Sequence, residues 1–359
     1  MGADCAGIAH PIGAQLSSTF PKLDRAPFDT CNAVYMSSLK QRILAVDEQA
    51  SGFVIGGVRI LAGLLWLANI HWKVPGDFGE NNGGGLYKYS ASTLRHATFG
   101  PFKWLTEHLI LPNFTFFGWF TLISEISLAL LLLAGYRTKL VALAGAAMSV
   151  PILLSVLYYD KTYEWSWSYL LMIGLHLLLY ATNAGTHLGL DGVLSRGAGA
   201  ARRSLRSVGI VATVVGVLGL FVARSIRFAG SKAALLGSDA GYVADDGTLQ
   251  RRWELKFLWF NPLWALLTIA FGVLLILGIK QVLLAVIGAA GFAAMAVVVF
   301  VTKTFDYARD DGAIQKVATG SNVAVWGAFA LCGLLMARAS GADTDVSSRS
   351  IDAGAVKPE

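Results

Sequence analysis

Apolar positions in this chain rarely show the three-to-four-residue spacing of a soluble amphipathic helix. They come in unbroken runs separated by polar, Gly-rich or aromatic stretches. Eight runs stand out, near 52–70, 114–134, 139–159, 166–183, 208–224, 261–279, 281–301 and 322–338. Each spans about 17–22 residues, enough to cross ~30 Å of hydrocarbon at 1.5 Å per residue. The pattern predicts an all-α membrane protein with eight transmembrane helices.

The polar stretches set the expected boundaries. Residues 1–50 are mixed and polar, with Pro11 and Gly13 interrupting what little hydrophobicity is present, so they read as a cytoplasmic arm and not as a secretory signal. Residues 340–359, rich in Ser, Ala, Gly and Asp, read as a disordered tail. The Gly- and Arg-rich stretch from Ala184 to Ser207 divides the remainder into units at 51–195 and 196–339.

The two units share a plan. Trp104–Asn113 and Trp253–Pro262 both mix aromatics and charges just ahead of an apolar run, as interfacial segments do. The turn Leu133-Ala134-Gly135-Tyr136-Arg137 matches Leu277-Gly278-Ile279-Lys280. The expectation is two tandem four-helix bundles, parallel repeats about an axis along the membrane normal. Aligning Gly278 with Gly135 sets Thr268 opposite Glu125, so the second copy loses the polar interior of the first.

Composition agrees: 55% of residues are hydrophobic and 14% charged. The net charge of +6 lies in the flanks of the runs, and no basic patch is interleaved with stacking aromatics, so nucleic acid is not an expected partner. With the N-terminus inside, the first half places Lys22, Arg25, Lys40, Arg42, Arg137, Lys139, Arg196, Arg202, Arg203 and Arg206 in the cytoplasm. It leaves Lys73, Lys88, Arg95, Lys103 and Lys161 outside. The positive-inside rule then puts both termini in the cytoplasm, although Arg224, Arg227, Lys232, Arg251, Arg252 and Lys256 run against it. Cys5, Cys31 and Cys332 form neither a disulfide framework nor a Cys-x-x-Cys motif.

Candidate chemistry begins with Arg59, seven residues inside the first run. A guanidinium at that depth costs at least about 2.5–3.5 kcal/mol and calls for an internal partner. Counting from the ends of their runs at 1.5 Å per residue places Arg59, Glu125 and His176 at roughly 11–14 Å, one level in a four-helix bundle. Two readings follow: a structural ion pair that locks the helices, or a functional site, either a polar pocket for a quinone head group or a proton relay. Tyr158, Tyr159, Asp160, Glu164, Trp165, Trp167 and Tyr169 gather at the outer face, either as an aromatic belt or as the mouth of such a pocket. The loop Lys73–Gly100, with Asn81-Asn82-Gly83-Gly84-Gly85, reads as a flexible connector or a flap. His71, His96 and His108 lack metal-ligand spacing, so no metal site is expected, and there is no haem or flavin motif.

Several of these features resemble the DoxX/DoxD family of small four-helix membrane proteins. They are Arg59, His96-x-x-x-x-Pro101-Phe102-x-Trp104, Glu125, Gly135-Tyr136-Arg137-Thr138, Glu164-Trp165-x-Trp167 and Gly189-Leu190-Asp191, covering about residues 50–195. The resemblance implies a helical bundle in a prokaryotic plasma membrane, associated with redox chemistry. The DoxD branch is the small membrane subunit of thiosulfate:quinone oxidoreductase. On that basis Arg59, Glu125 and His176 are expected to be catalytic, with Trp165, Trp167 and Tyr158 flanking a quinone. Partner subunits would bring the electrons. An accessory subunit of a larger respiratory or envelope complex and a small-solute or proton transporter are the competing expectations.

Overall fold

A computed structural model describes residues 50–70, 72–95, 99–156, 166–225, 233–234, 242–243, 249–250, 258–308 and 314–353. The arm at 1–49 lies outside the described residues. Helix α1 covers Ala50–Ile70, and turns held by Asp77 lead to α2 (Gly85–Ser92). Helix α3 (Gly100–Leu105) continues through a π-turn at Thr106–Ile110 and a 3-10 turn at Leu111–Asn113 into α4 (Phe114–Ala134). The irregularity surrounds Pro112, which has no N–H for the helical ladder and cannot follow a regular turn without a local adjustment. Then come α5 (Thr138–Val156), α6 (Ser166–Ala181), α7 (Leu190–Ser195), α8 (Ala198–Ser225), α9 (Pro262–Leu277), α10 (Val282–Thr302) and α11 (Gly320–Ala353).

All eight apolar runs are therefore helical, but they differ in reach. Among the described residues, six helical stretches are long and apolar enough to cross a membrane: 50–70, 100–134, 138–156, 198–221, 282–302 and 320–341. The other two, α6 and α9, have 16 residues each. That is about 24 Å of rise, short of ~30 Å of hydrocarbon.

The fold is all-α as expected; the short antiparallel ladders lie in the connections, the longest among the described residues pairing β1 (Thr304–Ala308) with β2 (Ile314–Ala318) between α10 and α11. Two expectations need correction. The tail is not irregular up to its end, because α11 runs on to Ala353. Its Ala-, Ser- and Asp-containing sequence holds no proline before residue 358 to end the helix. The segment between α1 and α3 is not a loose connector either. Phe78 is buried and packs edge-on against Trp119.

Packing joins the two halves of the sequence. Helices α8 and α9 approach closely through Gly209, Gly216 and Gly272, where a Cβ would meet the facing backbone at 2.7–3.0 Å. Helix α11 packs against α10 and α8 on one side and against α4 on the other. Gly320 meets Ile70, Leu122 and Ile126, and Gly327 meets Leu130. The turns matched in sequence differ in conformation. Gly135 ends α4 at φ +66 with a Schellman pair, Gly135 N–H to Leu132 and Tyr136 N–H to Leu131, whereas Gly278 ends α9 at φ −57.

Candidate functional site

The depth-matched trio is not one cluster. Arg59 is fully buried, but it faces the end of α4. Its Nη1 donates to the carbonyls of Leu132 and Leu133, the latter at 3.1 Å, and its Nη2 donates to the carbonyl of Leu188 at 2.8 Å. The orphan carbonyls of the last turn of α4 are thus satisfied by a planar, forked donor. Leu188 holds φ +54, which aims its carbonyl at the guanidinium. Gly135 and Gly189 make room, since a Cβ on Gly135 would lie 2.7 Å from Arg59 Nη1 and 2.6 Å from Gly189 Cα. Asp191 completes this node: its carboxylate accepts from the N–H of Arg137 at 2.7 Å and of Thr138 at 2.9 Å, capping α5.

Glu125 is fully buried about two turns away, and its partner is Lys73. Lys73 Nζ lies 2.8 Å from Oε2, and Asn69 Nδ2 donates to Oε1 at 3.1 Å. Lys73 is itself only 3% exposed, sits 4.4 Å from the Trp72 ring centre and donates to the Asn69 carbonyl at 2.5 Å. The expected Arg59–Glu125 pair is therefore replaced by Lys73–Glu125. The reason is stagger. Helices α1 and α4 run antiparallel with Arg59 level with Leu133 and Asn69 level with Glu125. The start of α1 overhangs the end of α4, where Gly52 and Gly56 pack on His187 and Leu188. Depths counted from the ends of the runs assumed flush ends.

His176 is buried on α6 and meets α1 at Trp66, about one turn before Asn69. Trp66 Nε1 donates to its Nε2 at 3.0 Å, and its Nδ1 lies 2.7 Å from the Met172 carbonyl. An indole can only donate and a carbonyl can only accept, so this pair of contacts fits the neutral imidazole with its proton on Nδ1. Gly145 of α5 leaves space for the ring, because a Cβ there would fall 2.2 Å from His176 Cδ2.

A cavity of about 130 Å³ adjoins Glu125 and Lys73. Its walls come from the end of α1, from α2, α3, α4 and α5, and from Tyr169 of α6. Leu86, Phe102, Phe117, Phe120, Met148 and Ile152 make it predominantly apolar. Tyr158 and Trp165 lie outside the described residues. Trp167 is 55% exposed at the start of α6 and does not line the cavity. His108, also exposed, stacks on Trp104 with ring centres 5.1 Å apart. Among the described residues no cluster of His, Cys, Asp and Glu is arranged to hold a metal ion.

Residues 87–218 match the family model described as TQO small subunit DoxD. This part of the chain is DoxD-like. No curated protein and no solved structure matches the chain. The matched stretch contains Glu125, His176, the Gly135–Thr138 turn and Asp191, whereas Arg59, Asn69 and Lys73 lie before it. The DoxD-like stretch thus supplies the carboxylate, and α1 with the turn after it supplies the amide and the ammonium. Sequence reasoning left Lys73 in an outer loop. The available signal was its spacing, four residues after Asn69 and seven after Trp66, which continues one face of α1.

Proposed function

We propose that the chain is the membrane subunit of a quinone-linked oxidoreductase and that the cavity beside Glu125 receives the quinone ring. The observation that carries this reading is a ring-sized apolar cavity with one buried carboxylate–ammonium pair at its wall. A cavity of about 150 Å³ lined by aliphatic and aromatic side chains takes a benzene ring, and this one is comparable at about 130 Å³. A bound quinone supplies an acceptor for two electrons and two protons. Glu125 and Lys73 are the ionisable pair positioned to hold and release a proton there, and Asn69 fixes the carboxylate.

The lining also argues about the electron donor. Thiosulfate is a dianion, and Lys73 already neutralises Glu125. An anion in this apolar space would lack compensation. Oxidation of the sulfur compound therefore belongs to a partner subunit, and this chain serves the quinone end. The same reading counts α6 and α9 among eight crossings in two tandem four-helix units. It places both ends of the chain on the cytoplasmic side of a prokaryotic plasma membrane.

The test is purification from native membranes in mild detergent, with quinone and partner proteins quantified together. Stoichiometric quinone, and a complex in which Glu125→Gln assembles normally but no longer reduces quinone, is the expected result. An active complex with no quinone on this chain, or one that keeps full activity with Glu125→Gln, rejects the reading.

A further inference from the structure

A second recess, of about 350 Å³, lies where α5 begins. Arg137, Thr138, Lys139 and Leu140 form one wall, and the turn at 183–186 after α6 forms the other. Gly185 lets that turn lie close against α5, since a Cβ there would overlap the side chains of Thr138 and Asp191. Asp191 also borders the recess, but each of its oxygens already accepts from a backbone N–H, of Arg137 or of Thr138. The Arg137 and Lys139 side chains are exposed, and among the described residues neither is paired with a carboxylate. Asn183 is exposed as well and carries an amide that can donate. The walls of the recess therefore offer more positive charge and donors than their one carboxylate consumes.

Its surroundings set its depth. The helical stretches 100–134 and 138–156 meet at this turn and are both long enough to cross a membrane, so the recess stands at the border of the hydrocarbon. Leu140, in its wall, is 63% exposed. Leu143 and Val150 are exposed too, and at spacings of three and seven residues they continue one apolar face of α5 away from the recess. We propose that the recess binds the head group of an anionic phospholipid, with Arg137 and Lys139 on the phosphate and an acyl chain along Leu140, Leu143 and Val150. The guanidinium fork matches two phosphate oxygens, and the ammonium adds a point charge. A soluble anion would use the cations and leave the apolar face idle. A zwitterionic lipid would bring its own ammonium or choline against two cations, which selects against it. The site is separate from the cavity beside Glu125, which lies toward the other ends of α4 and α5.

The experiment uses the full-length protein in mild detergent. Thermal unfolding is followed against added phosphatidylglycerol, phosphatidylcholine with the same acyl chains, and inorganic phosphate. Phosphatidylglycerol is expected to raise Tm saturably, and the other two are not. Arg137→Gln with Lys139→Gln should raise the half-saturating phosphatidylglycerol concentration roughly fivefold for each charge removed. The α5 cap survives this change, because Asp191 accepts from backbone N–H groups and not from those side chains. Arg203→Gln with Arg206→Gln removes two exposed cations of nearby α8 that do not line the recess, and should leave the response as it was. Leu140→Gln keeps both recess cations, interrupts the apolar face and should weaken the response on its own. Equal effects of the two lipids, or an unchanged response in the Arg137/Lys139 or Leu140 variants, overturn the assignment. An equal loss in the Arg203/Arg206 variant also overturns it, since the attraction would then be diffuse. Saturable stabilisation by inorganic phosphate alone would make the recess a soluble-anion site and reject the lipid.

Discussion

Lys73 Nζ lies 2.8 Å from Glu125 Oε2, with both side chains withdrawn from solvent. The two residues come from the turn after α1 and the middle of α4, so the ion pair ties one end of the first helix to the interior of another. Removing one partner leaves a buried charge without compensation, at a cost of about 3–5 kcal/mol. Lys73→Met and Glu125→Leu are each expected to destabilise by that order. The double variant should recover much of the loss, because apolar side chains then fill the site. Chemical unfolding in detergent, run as a double-mutant cycle, measures this; additive losses would show that the charges are not coupled.

Arg59 donates to three backbone carbonyls. Arg59→Lys keeps the charge but replaces a planar fork with a single point donor, so it is expected to destabilise by about 1–3 kcal/mol. Quinone affinity of the folded protein should stay at the wild-type value. A variant with normal stability and lost affinity would instead return Arg59 to the binding site.

Trp66 Nε1 donates to His176 Nε2. Trp66→Phe retains a ring but leaves that nitrogen buried without its partner, an expected loss of about 1–3 kcal/mol. Gly145→Ala should be at least as harmful, because its new methyl would overlap the imidazole. Comparison of Tm values with a conservative substitution on the lipid-facing side of α5, such as Leu143→Ile, supplies the baseline.

Asp191 caps α5 through the N–H groups of Arg137 and Thr138. Asp191→Ala is expected to cost about 0.5–2 kcal/mol, and Asp191→Asn less, since an amide oxygen still accepts. Unfolding midpoints of the two variants check the order; equal losses would mean that charge, and not acceptance, does the capping.

Acid should loosen the turn between α1 and α2. The N–H groups of Gly79 and Asn81 hold the Asp77 carboxyl below its ordinary value of 3.8. A depressed folded value means that the contribution is present above the unfolded value and is lost as pH falls through the folded one. Thermal unfolding should therefore show an acid-side decline that is shallower in Asp77→Asn. Identical acid limbs would assign the decline to other carboxylates.

Much of the fold was legible because lipid leaves few choices. A run of apolar residues long enough to bridge hydrocarbon forms a helix; all eight runs are helical over most of their described residues, and six of the helices are long enough to cross. The stagger between helices was not legible. The overhang of α1 depends on Gly52 meeting the His187 ring and Gly56 the His187 backbone, contacts between residues far apart in sequence. That one offset separated Arg59 from Glu125 and brought in Lys73.

Helix α11, made after α1 and α4, packs against α4 and meets Ile70 of α1 through Gly320. The helices that carry Glu125 and Asn69 are therefore made early but are enclosed late. Until α11 has been made, one flank of α4 must face lipid or an insertion factor. Chains halted before Gly320 should be the ones that membrane quality control removes, even though every residue of the ion pair has already been translated.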